Sequence, residues 1–268
     1  MSTPPTDWIR SALEITGHFE DSADPWGGVV GDFDNMGVSL GVLQWNFGMG
    51  SLQPMVLRVG KAAVDASMPT IGEQFWAACN AAQNMWRPIV ATWQTNGALH
   101  AVPEKELKAY ARSAAFIAEQ VSVSNRTAGI ALTQAQDWAD ADPHFDSVTQ
   151  ALFCWFFDLT TQNGGLKGVT IADVEAYRAS SADPRDLLCS WLEQRPNTIS
   201  GGADARVNGK TWRAPVSPQR ETLLYLSYLR SLKSVAKWQV DTLNRKGTIA
   251  MWKGKVHGDA HDLTALLS

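Results

Sequence analysis

The sequence predicts a mainly helical protein with one small β-hairpin or sheet near its N-terminus. Apolar residues recur at helical spacing along most of the chain, and three pairs of an N-cap residue with proline are typical of helix starts. The one convincing β signal is the Gly-rich stretch around Asp34 to Gly37, where apolar residues flank a tight turn. The 268 residues, 45% of them hydrophobic, suffice for a substantial core.

The elements follow in order. A first helix is predicted from Thr6 or Asp7, which would cap it, through Ile15, and the hairpin comes next. Apolar spacing predicts helices over 52–64, 71–94, 103–121 and 126–141. Three further starts are predicted at Asp142-Pro143, Asp183-Pro184 and Ser217-Pro218. The Gly-rich segments 163–168 and 197–210 are predicted loops.

Composition excludes several functional classes. The formal net charge is −4, and the absence of a Lys and Arg cluster speaks against a nucleic-acid partner. Cys79, Cys154 and Cys189 are widely spaced, which predicts buried thiols rather than disulfides or a metal knuckle. The histidines show no metal-ligand spacing, so we predict neither metal nor cofactor.

The N-terminus lacks the basic and apolar regions of a secretory signal, and no apolar run approaches the roughly 20 residues of a membrane span. The sequence therefore predicts no membrane span and synthesis in the cytoplasm. A substrate outside the cytoplasm would require delivery without a signal peptide, or the chain is a domain of a longer protein.

Carboxylates in the first quarter of the chain suit the cleavage of a sugar chain. Glycoside hydrolysis needs an acid that protonates the leaving oxygen and, usually, a second carboxylate. Glu20 follows Phe19 at the predicted end of the first helix, and Asp34 lies at the turn. Asp32, two residues earlier, is predicted to point to the same face. By spacing alone, a helix-end Glu is usually solvated and an Asp-Asn turn is usually only a turn.

Glu14 is the alternative acid, because it lies on the same predicted helix. Six residues separate Glu14 from Glu20, so on an ideal helix only one of them should reach a cleft. Glu20 is favoured because it is nearer to the hairpin and to the predicted helix end. The choice depends on where that helix ends.

Five segments carry a family resemblance. They are residues 14–20 (EITGHFE), 31–34 (GDFD), 37–48 (GVSLGVLQWNFG), 157–165 (FDLTTQNGG) and 245–258 (RKGTIAMWKGKVHG). They resemble the lysozyme-like superfamily, and most closely the chitosanase-like muramidase domains of bacterial cell-wall hydrolases, including effectors of type VI secretion. The resemblance implies a single lysozyme-like glycosidase domain over 1–268, with 1–60 carrying the catalytic helix and hairpin.

The resemblance also implies residue roles. Glu20 would be the general acid, Asp34 the second carboxylate and Ser39 the hydroxyl that positions water, with inversion as the expected outcome. Residues predicted to bind substrate are Asp32, Gln44, Trp45, Asn46, Gln162 and Asn163. Asp158, inside the apolar run 152–159, is predicted to be a structural anchor bonded to backbone or to an arginine.

The predicted function is a muramidase that cuts the β-1,4 bonds of peptidoglycan or a related amino-sugar polymer, acting in the periplasm as a secreted antibacterial effector. Its partners would then include a secretion-machine component and an immunity protein. A chitosanase, a lytic transglycosylase and a non-catalytic glycan-binding or interaction module remain as alternatives.

Overall fold

The computed structural model describes residues 3–20 and 24–267, apart from the side chain of Gln83. Helices hold 61% of the residues and strands 7%, which confirms the prediction of a mainly helical fold. The chain packs as two compact units. Unit 1 combines Met1–Ile15 with Arg126–Ser268, and unit 2 is the continuous segment Thr16–Asn125.

The first helix, α1 (Thr6–His18), begins where the sequence predicts it. Ile9 and Leu13 recur at helical spacing and are fully buried, so this face of α1 belongs to the core of unit 1. In the same core, the ring of Trp8 packs on Phe153 with centroids 5.7 Å apart.

Unit 2 is built from short helices. They are α2 (Leu52–Val59), α3 (Lys61–Ser67), α4 (Gly72–Asn80), α5 (Arg87–Ala91), α6 (Ala101–Ala111) and the first part of α7 (Ala114–Ala141). The single helix predicted over 52–64 is wrong, because Gly60 takes a φ of +94° and separates α2 from α3. The helix predicted over 71–94 is likewise interrupted after Asn80.

The boundary predicted between the helices 103–121 and 126–141 is wrong. The break comes at Ser113, whose Oγ accepts a hydrogen bond from the N–H of Phe116 (3.2 Å) and so caps α7. From there α7 continues without interruption to Ala141.

A three-stranded antiparallel sheet follows α1 in unit 2. Its strands β1 (Val29–Val30), β2 (Ser39–Leu40) and β3 (Trp45–Asn46) lie in that order, with Ser39 opposite both Val30 and Asn46. The predicted hairpin is thus confirmed as β1–β2, with Asp34 in its connecting loop. Beneath it lies an aromatic core in which Phe75 contacts both Phe47 and Tyr110 at centroid distances of 6.0 and 5.6 Å.

The expectation of only one sheet is wrong. Unit 2 also contains the hairpin β4 (Gln94–Thr95) and β5 (Ala98–Leu99), and unit 1 contains β6 (Lys253–Val256) and β7 (Asp259–Asp262). Each has a two-residue turn with positive φ at both positions, Asn96-Gly97 and His257-Gly258. Asn-Gly is the strongest short hairpin signal in a sequence, so the first of these turns was predictable.

Unit 1 continues with the helices that follow α7. They are α8 (Gln150–Gln162), α9 (Ile171–Arg178), α10 (Pro184–Glu193), α11 (Gly202–Thr211), α12 (Pro218–Leu232), α13 (Gln239–Met251) and α14 (Thr264–Leu267). Asp183 and Ser217 cap α10 and α12 as predicted, each with proline at the start. The loop predicted over 197–210 is wrong, because α11 occupies most of it.

The start predicted at Asp142-Pro143 is also wrong. Asp142 instead accepts hydrogen bonds from the indole N–H of Trp138 (3.0 Å) and the backbone N–H of His144 (2.9 Å). Its carboxylate is therefore committed to the end of α7, and the next helix starts only at Thr149, whose hydroxyl caps α8.

Asp158 is a buried anchor, as predicted. Its carboxylate accepts hydrogen bonds from Arg245 at 3.0 and 2.8 Å and from Lys246 Nζ, and all three residues are buried. This cluster ties α8 to α13 within unit 1. The three cysteines are buried free thiols, also as predicted, and burial raises the pKa of the Cys189 thiol to about 11.

Candidate active site

A cavity of about 380 Å³ lies within unit 2, beside the three-stranded sheet. Its walls combine apolar residues, among them Val30, Phe33 and Val42, with polar side chains. The polar lining consists of Glu20, Asp34, Ser39, Gln44 and Asn46. The cavity thus brings together five of the residues that the sequence predicts for the site.

Glu20 reaches the cavity from the turn that follows α1, two residues after the helix ends. The helix closes with a turn in which the N–H of Glu20 donates to the carbonyl of Gly17 (3.0 Å). A Cβ on Gly17 would lie 2.6 Å from Val42 Cγ2 and 2.7 Å from the carbonyl oxygen of Pro25. Only glycine therefore lets the helix end approach the cavity wall this closely.

This close approach gives a first prediction. Gly17→Ala is expected to lower the free energy of unfolding by about 1–3 kcal/mol, because the added methyl overlaps backbone as well as side-chain atoms. Urea denaturation measures the change. Gly129→Ala is the matched control: Gly129 lies within α7 with open space around it, so the same change should stabilise the protein by up to about 1 kcal/mol. Equal effects of the two substitutions would contradict the packing argument.

Asp34 is exposed in the loop between β1 and β2, and Asp32 fixes the shape of that loop. Asp32 Oδ1 accepts the N–H of Gly37 (2.7 Å), while Asp34 Oδ1 accepts the N–H of Met36 (3.1 Å). Asn35 and Gly37 take positive φ angles of 64° and 81°. Asp32 thus braces the loop and is not among the residues that line the cavity, contrary to its predicted role in substrate binding.

The β4–β5 hairpin supports this loop, a contribution that the sequence analysis missed. Gln94 Oε1 accepts the N–H of Asp32 (2.8 Å), and a Cβ on Gly97 would lie 3.0 Å from the backbone nitrogen of Phe33. The Asn96-Gly97 turn signals the hairpin in the sequence. The sequence does not indicate that this hairpin contacts a loop more than 60 residues earlier in the chain.

The sheet divides its residues between the cavity and the core. Ser39 and its cross-strand neighbours Val30 and Asn46 line the cavity, whereas Leu40 is fully buried in the core. Trp45, paired with Leu40, packs against that core and is not among the cavity-lining residues. The structure therefore does not place Trp45, predicted to bind substrate, in the lining of this cavity.

Ser39 lies on the central strand with only 8% of its surface exposed, and its hydroxyl has no hydrogen-bond partner among the described residues. The amide of Asn46 is engaged in a turn, since its Oδ1 accepts the N–H of Met49 (2.8 Å). Ser39 thus offers a hydroxyl to the cavity, whereas Asn46 shapes the wall.

Gln44 presents an unused acceptor. Its backbone is left-handed (φ 56°), and its Nε2 donates to the carbonyl of Gly41 (3.0 Å). Its Oε1 is buried without a hydrogen-bond partner in the part of the chain that the structure describes. Burying an unpaired carbonyl is unfavourable, so this oxygen is suited to accept a hydrogen bond from a bound ligand.

Two further residues near the site were not predicted. Gln120, fully buried, accepts the N–H of Val42 (2.9 Å) and donates to the carbonyl of Ala111 (3.2 Å), which fixes the cavity wall to α6. Phe33 lines the cavity with 75% of its surface exposed. In the sequence, the position of Phe33 between two aspartates was a signal of an exposed ring. No sequence feature pointed to Gln120.

The remaining predicted residues do not line this cavity. Glu14 lies four residues before the end of α1 and is assigned to unit 1. Gln162 and Asn163 also belong to unit 1, where Asn163 ends α8 and its carbonyl accepts a hydrogen bond from Arg230 (2.7 Å). Asn163 is thus the C-cap residue of α8.

Within residues 3–20 and 24–267, no cluster of three or more His, Cys, Asp or Glu side chains is arranged to hold a metal ion. No helix in the same residues combines the length and apolar character needed to cross a membrane. Comparison of the chain with protein-family models, with curated proteins and with solved structures gave no match.

Proposed function

We propose that this protein is a lysozyme-like glycoside hydrolase that cuts the β-1,4 bonds of the peptidoglycan backbone. The observation that carries the proposal is the convergence of Glu20, Asp34 and Ser39 on one cavity, from a helix end, a loop and a strand. Two carboxylates are the groups that hydrolysis of a glycosidic bond usually needs, and a hydroxyl beside them is suited to hold the attacking water.

In the proposed mechanism, Glu20 protonates the glycosidic oxygen as the bond to the sugar breaks. Asp34 accepts a proton from a water molecule that the hydroxyl of Ser39 holds, and this water attacks the anomeric carbon from the opposite face. Such displacement inverts the anomeric configuration. The resemblance to muramidase domains favours this route.

Two residues would hold the sugar. The exposed ring of Phe33 is suited to pack against the C–H face of a pyranose, and the unpaired Oε1 of Gln44 is suited to accept an N–H or O–H from it. An N-acetylated amino sugar has all three of these groups: an apolar C–H face, an amide N–H and hydroxyl O–H groups. The resemblance to type VI effectors extends the proposal to a protein delivered to the periplasm, with an immunity protein and a secretion component as partners.

Analysis of the products tests the proposal. Purified sacculi are digested with the protein and the released muropeptides are identified by mass spectrometry, beside a reducing-end assay on chitosan. We expect new muramic acid reducing ends and no anhydro products. Anhydro ends would indicate a lytic transglycosylase, cleavage of chitosan alone a chitosanase, and absence of cleavage a binding module.

Ser39 should affect the chemical step, because it holds the attacking water, and should have little effect on binding of the glycan. Ser39→Ala is expected to lower kcat by about 10–100-fold with little change in KM, because the hydrogen bond to the attacking water is lost. Steady-state kinetics on soluble glycan chains measure both constants. Ser39→Thr, which keeps the hydroxyl, should retain more activity than Ser39→Ala, and the reverse order would argue against the assigned role.

Phe33 should act on binding instead. Phe33→Ala is expected to raise KM by about five- to tenfold and to change kcat little, since one sugar–aromatic contact contributes about 1 kcal/mol. Met49→Ala is the matched control, because Met49 is 73% exposed on the same unit but does not line this cavity. An unchanged KM in Phe33→Ala would remove Phe33 from the binding site.

A further inference from the structure

A second cavity, of about 400 Å³, lies within unit 1 between the start of α8, the start of α12 and the residues after α13. Phe145, Ala151, Leu223 and Leu267 form apolar walls. Its polar lining contains no Asp or Glu, although unit 1 carries many carboxylates elsewhere. The chemistry of the site therefore depends on Arg220 and Trp252, together with three uncharged polar residues.

Arg220 is a cation without an acidic partner among the described residues. Its guanidinium lies 4.5 Å above the ring of Trp252, and it donates to the backbone carbonyls of Ala250 (3.3 Å) and Met251 at the end of α13. Burial lowers the pKa of Arg220. These carbonyls compensate only part of a full charge, and the Nη1 donors have no hydrogen-bond partner among residues 3–20 and 24–267.

Trp252 adds a second unused donor. The residue takes a left-handed conformation (φ 59°) that ends α13, and its indole N–H is buried without a hydrogen-bond partner in the described chain. A buried N–H of this kind is unfavourable unless an acceptor meets it. The indole N–H and the guanidinium stacked on the indole ring are thus both donors with unused hydrogen-bonding capacity in the lining of one cavity.

Both hydroxyls that line the cavity already accept a hydrogen bond. Thr149 Oγ1 accepts the N–H of Leu152 (3.2 Å), and Ser217 Oγ accepts the N–H of Arg220 (3.4 Å), so both serve as helix N-caps. Gln219 is the remaining neutral polar residue of the lining. Apart from its amide, the unsatisfied groups of this site are therefore donors, and the rest of its surface is apolar.

We infer that this cavity binds a small carboxylic acid with an apolar body. The carboxylate would accept hydrogen bonds from the indole N–H of Trp252 and the guanidinium of Arg220, and the apolar part would lie against Phe145 and Leu223. Charge-assisted hydrogen bonds to a carboxylate are stronger than neutral ones, so the acid should bind better than its amide. This site is independent of the proposed glycosidase cavity.

Saturation-transfer NMR and calorimetry with the whole chain test the inference. The probes are 4-methylpentanoate and phenylacetate, each beside its neutral amide. We expect saturable binding of the acids at millimolar concentration or below, and at least about tenfold weaker binding of the amides.

Two variants locate the binding. Trp252→Phe keeps an aromatic ring beneath Arg220 but removes the N–H, and should weaken acid binding by about tenfold; Arg220→Met should abolish it. Glu20→Gln, which alters only the other cavity, should bind the acids like the wild type. No saturable binding, equal binding of acid and amide, or unchanged affinity in Trp252→Phe would each overturn the inference, whether or not the protein cleaves peptidoglycan.

Discussion

Glu20→Gln is expected to lower kcat on peptidoglycan by about 10²–10⁴-fold, the range that a positioned general acid contributes. Glutamine keeps the size of the side chain and its hydrogen-bonding atoms but cannot donate the proton that the leaving oxygen needs. Glycan binding should persist, because the other cavity-lining residues are unchanged. Kinetics on glycan chains and a pull-down with sacculi measure the two quantities separately.

Glu14→Gln is the matched control for this experiment. It makes the same chemical change within α1, the helix that precedes Glu20, at a residue outside the cavity lining. Its activity should stay within about twofold of the wild type. If Glu14→Gln lost activity while Glu20→Gln kept it, the acid would be Glu14 and the proposed cavity would not be the active site.

The largest effect on stability is expected for Asp158→Ala. Removing one partner of a buried ion pair leaves the other charge uncompensated, which usually costs about 3–5 kcal/mol. Here two cations, Arg245 and Lys246, would be left in the core of unit 1. Urea denaturation of the purified variant, or its loss to the insoluble fraction, measures the effect.

An exposed ion pair provides the comparison. Asp65 pairs with Lys61 on the surface of α3 at 2.7 Å, and Asp65→Asn should change the free energy of unfolding by less than about 1 kcal/mol. Similar losses in Asp158→Ala and Asp65→Asn would show that burial of the Asp158 cluster does not determine its contribution.

The contribution of Asp158 should also depend on pH. Burial alone would raise the pKa of Asp158, but the charges of Arg245 and Lys246 outweigh it and lower that pKa from 3.8 to about 2. A depressed pKa stabilises the folded state above the unfolded-state value, and this stabilisation is lost as pH falls from about 4 to 2. The difference between wild type and Asp158→Asn in the free energy of unfolding should shrink over that interval. If this difference in the free energy of unfolding did not change with pH, Asp158 would not be ionised in the folded protein.

Local signals in the sequence predicted local structure well. Asp183 and Ser217 cap their helices because a capping residue needs only neighbours one turn away. Asp142 has the same signature but forms no such cap, because it bonds instead to the indole of Trp138 and the N–H of His144. No feature of the sequence at position 142 indicates that these hydrogen bonds replace a helix cap.

The candidate site was predictable in part for the same reason. Glu20, Asp34 and Ser39 lie in one contiguous stretch of motif, and the structure places them around one cavity. The side of the sheet on which Trp45 lies could not be predicted, because strands of two residues give no periodicity from which to infer it. The bracing by Gln94 and Gln120 depends on contacts between segments far apart in the chain, which only the folded structure reveals.

The division of the chain into units sets an order of events during synthesis. Every residue that lines the proposed active site belongs to the continuous segment Thr16–Asn125, whereas unit 1 needs its first residues and those from Arg126 onward together. A growing chain therefore carries the whole cavity lining before the ribosome has made Phe153, the partner of Trp8. The core of unit 1, by contrast, cannot be completed until its second segment has been synthesised.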